Sequence, residues 1–234
     1  MTGTLINAAA VVAASVIGTC IGKRMPDKVR VTTLDGLGLV TTVIGLQMAL
    51  QAENFTYVLA GVVVGALVGE ALDIDALVNL LGQRMEHWVI RGMASRESGQ
   101  GRFARGFVAA SLMFCVGPMA IMGSLQDGLL GDIRTLTVKS TIDAFASLAF
   151  ASSLGIGVAF SALPLLVYQG ALTLGARMLE GALTESAINN FTATGGLLVF
   201  AIGLSLLEVK KVKVANLLPA VFVTPLIAWV VSLF

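Results

Sequence analysis

Eight apolar stretches, separated by short polar breaks, dominate the chain. They cover approximately 4–22, 35–50, 57–72, 106–126, 135–151, 156–178, 191–208 and 213–234. Stretches of this kind read as helices that cross a bilayer, although several fall short of the roughly 20 residues of a standard span. The fifth carries Lys139 and Asp143. It either crosses fully or is re-entrant, since irregular backbone is tolerated at membrane depth where protein covers it. The one substantial loop, 73–105, opens with an amphipathic helix in which Ile74, Leu77, Val78, Leu81, Met85 and Trp88 share a face. Trp88 and His87 suit the headgroup layer, and 91–105 reads as a flexible connector.

Charge fixes the number of crossings. Twelve of the fifteen basic residues fall in three loops: Lys23, Arg24, Lys28 and Arg30; then Arg84, Arg91, Arg96, Arg102 and Arg105; then Lys210, Lys211 and Lys213. Eight crossings with the N-terminus outside place all three loops in the cytoplasm and both termini outside. Seven crossings send the last cluster outside, against the positive-inside rule. The first stretch starts almost at once, lacks a basic leader and ends in basic residues. It therefore reads as a first span, not a cleavable signal.

An internal repeat follows the same layout. Gly38-Leu39-Val40 through Ile44-Gly45-Leu46-Gln47 returns as Gly196-Leu197-Leu198 through Ile202-Gly203-Leu204-Ser205. In both copies an apolar stretch precedes the block, and a short polar loop and another apolar stretch follow. The charge argument gives the copies opposite orientations. Inverted repeats with interrupted helices are the usual build of secondary transporters. The expected architecture is an all-α polytopic membrane protein of about eight segments. It forms a single membrane domain: repeat one at 4–72, a cytoplasmic helix and loop at 73–105, a central insert at 106–151, and repeat two at 156–234.

Composition narrows the function. Apolar residues make up 56% and charged residues 12%, with mean hydropathy +0.90. A soluble domain carries roughly 25% charged residues. The 26 glycines suit helices that approach closely in lipid. Net charge near zero argues against nucleic acid as a partner. The spacing of Cys20 and Cys115 suggests neither a metal site nor a disulfide, and no cofactor is implied. Gly18-x-x-x-Gly22-Lys23 is too short for a phosphate loop and has Arg24 where Ser or Thr belongs. His87 stands alone and no nucleophile–base set appears, so an enzyme is not expected. The expected partners are the lipid bilayer and a small polar solute or ion. Low charge and many glycines permit a homo-oligomer without requiring one.

The richest chemistry lies between residues 115 and 143. Gly117-Pro118 sits mid-segment, and Pro lacks a backbone donor and clashes with the preceding turn, so segment four should break there. The freed carbonyls can face a cation or solute, or the kink can serve packing alone. Gly45 with Gln47 and Gly203 with Ser205 stand at the corresponding places of segments two and seven. Ser124-Leu-Gln126-Asp127-Gly128 and Gly131-Asp132 carry turn signals, with Gln126 and Asp127 as candidates for an outward vestibule. In Lys139-Ser140-Thr141-Ile142-Asp143 the charges are four apart and share a helix face. A lone charge inside a membrane is costly, and such residues usually serve a pathway or a partner. Gln169 offers hydrogen bonds to a solute or between helices. The candidate pathway is therefore Gln47, Gly117, Pro118, Gln126, Asp127, Lys139, Ser140, Asp143, Gln169, Gly203 and Ser205.

Several motifs also resemble a known family. They are Leu5-Ile6-Asn7-Ala8, Gly65-Ala66-Leu67-Val68-Gly69-Glu70, Phe114-Cys115 with Gly117, and Asp127-Gly128-x-x-Gly131-Asp132. They continue with Lys139-Ser140-x-x-Asp143, Ser153-Leu154-Gly155-Ile156 with Pro164 and Gln169, Gly195-Gly196-Leu197-Leu198, and Asn216-x-Leu218-Pro219-Ala220. Together they resemble the bacterial integral-membrane family called "domain of unknown function 554". The resemblance spans essentially the whole chain and implies a bacterial inner-membrane protein. It carries no established activity and assigns no catalytic residue. The expected function is secondary transport of a small polar solute or ion. A passive channel and a non-transporting scaffold are the alternatives.

Overall fold

A computed structural model describes residues 1–78, 80, 102–179 and 184–231. Among them the chain is helical, with no strand. The helices are α1 (Thr2–Gly22), α2 (Asp27–Ala49), α3 (Phe55–Ala71), α4 (Arg102–Cys115), α5 (Pro118–Leu130), α6 (Arg134–Leu154), α7 (Ala162–Leu174), α8 (Ala176–Leu179), α9 (Glu185–Leu206) and α10 (Leu218–Val231). Short 3-10 turns, Ile156–Ser161 and Val214–Leu217, lead into α7 and α10.

Local signals set several boundaries. Asn54 caps α3 by accepting from the Thr56 amide at 2.9 Å, and Thr184 caps α9 by accepting from the Ala187 amide at 3.2 Å. Gly155, at φ 82°, ends α6 in a conformation that side chains with a Cβ avoid. Residues 74–78 are helical, with Ile74 and Val78 half-buried; Leu81, Met85, His87 and Trp88 lie outside the described residues.

Among the described residues, five helical stretches are long and apolar enough to cross a membrane, or six when the bent pair α4–α5 counts as one. Helix α3 is apolar but only 17 residues long. Helix α6 is continuous over 21 residues yet is not among the five, since it carries Arg134, Lys139 and Asp143. It is one unbroken helix. Apolar side chains point outward along most elements: Leu39, Val43, Leu59, Leu67, Phe145, Val167 and Phe222 are all exposed. An apolar exterior of this extent suits lipid, not water.

The helices pair in three seams, each visible in where a Cβ added to a glycine would collide. Gly3 lies against Leu136, Gly18 against Leu148 and Gly22 against Ser152, so α1 and α6 run parallel. Gly38 lies against Leu207, Gly45 against Phe200 and Gly196, and Gly203 against Thr42, so α2 and α9 run antiparallel. Gly61 meets Thr224, Gly65 meets Ala220 and Gly69 meets Asn216, so α3 and α10 are antiparallel as well. Lipid gives no hydrophobic reward for bringing apolar helices together, so close backbone approach through small residues must supply the contact. The apolar core, including Val11, Phe114, Phe150, Val158, Leu165, Leu198 and Val199, fills the space among α1, α4, α6, α7 and α9.

Segment four breaks where the Gly-Pro pair predicts. Helix α4 stops at Cys115 and α5 starts at Pro118, with the axes differing by 59°. Gly117 adopts φ 154°, open to glycine and strained for other residues. The α4–α5 unit runs the full depth of the bundle. Phe103, at its start, packs beside Gly157 just past the end of α6, and Asp127, near its end, meets the start of α1.

Candidate functional site

Helix α1 presents one polar stripe. Thr4, Asn7 and Ser15 are fully buried and share a face with Val11, Gly18 and Gly22. The facing stripe of α6 carries Lys139, Ser140, Asp143 and Ser147, also buried. Their spacings of three, four and eight residues keep each set on one side of its helix. The α1–α6 seam is therefore polar inside an apolar protein.

Its centre is a charged cluster. Lys139 donates a short, charge-assisted hydrogen bond to Asp143 Oδ2, one helical turn away. Asn7 Nδ2 donates to the same carboxylate oxygen at 3.0 Å. The Lys139 ammonium lies 6.0 Å from the centre of the Phe114 ring, one residue before the break in segment four. Asp143 is the tenth residue of α6, about 14 Å along its axis at 1.5 Å per residue. That places it near the middle of the 21-residue helix.

Around the pair, several buried polar atoms have no partner among the described residues. They include Asn7 Oδ1, Ser15 Oγ, Ser147 Oγ and both amide atoms of Gln169. Buried polar groups nearly always find partners, so unpartnered atoms here need an explanation. Gln169 is completely buried on α7, one turn from Thr173, whose hydroxyl meets that of Thr4 at 3.4 Å.

A second carboxylate lies at the end where α1 begins. Asp127 is buried, accepts from the Gly3 amide at 3.0 Å, and pairs with the Met1 ammonium at 2.9 Å. Gln126, beside it, accepts from the Thr135 hydroxyl at 2.6 Å. The turn signals read there operate later. Helix α5 continues through Leu130, and the chain turns at Gly131, φ 68°, with Asp132 accepting from the Arg134 amide. Gln126 and Asp127 thus tie α5 to α6 and to α1.

The structure places the other candidates as follows. Gln47 is exposed on the outer side of α2, because Gly45 rather than Gln47 faces α9. Ser205 sits one residue from the end of α9, not at mid-depth. Its hydroxyl donates to the Lys210 carbonyl and accepts from the Val212 amide, fastening the following loop. The Ser140 hydroxyl donates to the Leu136 carbonyl at 2.6 Å, so its proton is already used. Gly203 is a packing residue against Thr42. The centre that the structure assembles is Lys139, Asp143, Asn7 and Phe114, beside the end of α4 that precedes Gly117; Gln169 is buried on α7. Asn7 was not read as a site residue from the sequence, and its spacing from Thr4 and Ser15 on one helix face was the available signal.

At the opposite end, a cavity of about 110 Å³ is lined by Asp75, Arg105, Ser205 and Val212 among others. Nearby, Glu70 accepts from Lys213 at 2.9 Å and from Asn216 at 2.6 Å, and Asn216 accepts from the Asp75 amide. Hydrogen bonding to Glu70 and attraction to its charge raise the Lys213 ammonium above its ordinary value of 10.5. Among the described residues no group of three His, Cys, Asp or Glu can hold a metal ion.

Residues 2–229 match the family described as "Protein of unknown function (DUF554)". The chain belongs to this family. It is similar to an "Uncharacterized protein YqgA" of Escherichia coli, 32% identical over 93% of this chain and 92% of the relative. It is also similar to an "Uncharacterized membrane protein YdfK" of Bacillus subtilis, 28% identical over 100% of this chain and 98% of the relative. No solved structure matches the chain. The family match, the relative named as a membrane protein and the apolar helices together mark a helical protein of membrane type from an uncharacterised family.

Proposed function

We propose that this protein is a secondary transporter of a small polar solute or ion in the bacterial inner membrane, and not an enzyme. The observation that carries the reading is the buried Lys139–Asp143–Asn7 cluster beside the helix break at Gly117. Charge at membrane depth is costly and marks substrate and ion pathways more often than it supports packing. A broken helix at the same place adds backbone groups that an unbroken helix withholds.

The helix directions support eight crossings with both termini on one side, and the three basic loops favour the outside for that side. Parallel α1 and α6 fit three crossings between them, supplied by α2, α3 and the α4–α5 unit. Antiparallel α2 and α9, and antiparallel α3 and α10, fit the same count. Those two pairs also support an inverted repeat. Gly38, Thr42, Gly45 and Ala49 line one side of the α2–α9 seam; Gly196, Phe200, Gly203 and Leu207, their counterparts in the second block, line the other.

The test is reconstitution into liposomes, with fluxes of cations and small polar solutes recorded under imposed ion or pH gradients. Gradient-driven accumulation that Asp143→Asn abolishes supports the reading. Flux that only dissipates gradients points to a passive pore, and absence of any flux to a scaffold; either result overturns it.

A further inference from the structure

The cavity near Glu70 has an apolar floor and a charged rim. Ala109, Ile202, Leu206 and Ala215 line it and are buried. Arg105, in the first turn of α4, lines it and is exposed, and Asp75 lines it half-buried. Ser205 is the remaining polar side chain of the lining, and its hydroxyl is spent on the Lys210 carbonyl and the Val212 amide. The interior therefore offers a water few of the partners it needs, and an apolar group fits better. At about 110 Å³ the cavity holds roughly four carbon atoms, since a cavity of about 150 Å³ takes benzene.

The rim selects what that apolar group is attached to. Arg105 makes no hydrogen bond or ion pair among the described residues. Its guanidinium presents a planar fork of donors that matches a carboxylate. Asp75 brings the opposite charge. Its backbone is held in place, because its amide donates to Asn216 Oδ1 at 2.6 Å and Asn216 donates to Glu70 at 2.6 Å. A carboxylate has about four lone-pair sites, so Asp75 can accept a further cation whatever else it contacts. A simple carboxylate entering here would meet Asp75, and a simple amine would meet Arg105. A molecule with both charges beside a small apolar branch satisfies rim and floor together. We propose that this cavity binds a small α-amino acid with a branched aliphatic side chain. Its carboxylate rests on Arg105, its ammonium on Asp75, and its side chain against Ala109, Ile202 and Leu206.

The site stands apart from the Lys139–Asp143 centre. Arg105 is in the first turn of α4, and Phe114, which faces Lys139, is in the last. The two are separated by about 14 Å of helix at 1.5 Å per residue. Binding here needs no flux, so the inference does not rest on the transport reading. Arg105 and Ala109 are four apart and share a face of α4. Helix α9 contributes Ile202 and Leu206, and the chain before α10 contributes Val212 and Ala215. An occupant therefore touches three elements at once, and a ligand that binds only the folded chain raises its stability as concentration exceeds the dissociation constant.

The experiment uses the purified full-length protein in detergent, with radioactive L-leucine in equilibrium dialysis. Saturable binding is the expected result, with a melting temperature that rises as leucine is added. Isovalerate lacks the ammonium, isoamylamine lacks the carboxylate and glycine lacks the side chain. Each should compete at least about tenfold less well than leucine. Arg105→Gln and Asp75→Asn should each weaken leucine binding about tenfold or more, the usual loss for one bond to a charged group. Arg105 is exposed, so Arg105→Gln should melt like the parent when no leucine is present. Absence of saturable binding at millimolar leucine overturns the proposal. So does binding that Arg105→Gln leaves unchanged, or isovalerate that competes as well as leucine. Leucine binding without flux of any solute in liposomes sinks the transport reading while this inference survives. Gradient-driven flux with no leucine binding does the reverse.

Discussion

Asn7 on α1 and Asp143 on α6 meet through a 3.0 Å hydrogen bond that joins two parallel helices in the interior. The bond uses only one end of the Asn7 amide. Replacing Asn7 with Leu removes a bond to a charged group, which is worth about 1.5–3 kcal/mol. Asn7→Leu should lower stability in detergent by that order, whereas Leu5→Ala, on the exposed side of α1, should have little effect. Equal melting temperatures for Asn7→Leu and the parent would mean that the bond contributes nothing.

The pair Lys139–Asp143 should follow the rule for buried charges. Removing one partner leaves the other uncompensated at a cost of about 3–5 kcal/mol, while replacing both with apolar residues is close to neutral. Asp143→Asn should therefore melt well below the parent, and Lys139→Met with Asp143→Leu should melt near it. Transport should be lost in both. A double variant that transports normally would reduce the pair to a structural role.

Glycine seams predict sharply different costs for one substitution. A Cβ at Gly69 would overlap the Asn216 carbonyl, so Gly69→Ala must push α3 off α10, at about 1–3 kcal/mol for an overpacked site. Gly36 has nothing within 4 Å of an added Cβ. Gly36→Ala should be neutral or gain up to about 1 kcal/mol from helix propensity. Thermal melts of the two variants side by side decide the point.

Orientation is open to labelling. A cysteine placed near Lys211 should react only from the cytoplasmic side, and one near Gly131 only from outside. Reaction from outside near Lys211 would remove the eight-crossing arrangement and the opposed orientation of the repeats with it.

The clamp between α3 and the loop before α10 has a pH signature. The Lys213 ammonium is raised above 10.5, chiefly by its hydrogen bond to Glu70. A raised folded value means that the contribution is fully present below the ordinary lysine value and fades as pH climbs through the higher one. Both side chains are solvent-exposed, so the effect is small and screened by salt. Melting curves should be flat with respect to this pair at neutral pH. In low-salt buffer the difference between the parent and Glu70→Gln should fade as pH climbs through the raised Lys213 value and as it falls through the lowered Glu70 value.

Much of this architecture was legible because lipid imposes simple rules. Long apolar runs gave the positions of α1, α2, α7 and α9, and Gly117-Pro118 gave the break between α4 and α5. The fifth stretch was readable as a helix with a paired Lys139 and Asp143, since a four-residue spacing is local. What escaped the reading depends on which helix lies beside which. Asn7 looks like any polar residue near a helix start until α6 is placed against α1. Gln47 and Ser205 stand at aligned places in the repeat, but one faces outward and the other fastens a loop, because a period of 3.6 turns neighbours two residues apart to different sides. Asp127 carried turn signals from Gly128 and Gly131, and the helix ran past the first and stopped at the second.

The order of synthesis gives the Lys139–Asp143 spacing a further meaning. Both charges ride on one helix, so they can neutralise each other before any neighbour exists, and α6 can leave the insertion machinery as a nearly uncharged rod. Asn7 has no such companion on its own helix. Helix α1 is made before α6 and must hold that amide without its carboxylate until α6 has been made. The polar seam therefore closes late, after α2, α3 and the broken segment have been laid down between its two sides. An assembly that stalls before residue 143 leaves α1 as the exposed, adhesive member, the part a quality-control protease or chaperone would meet.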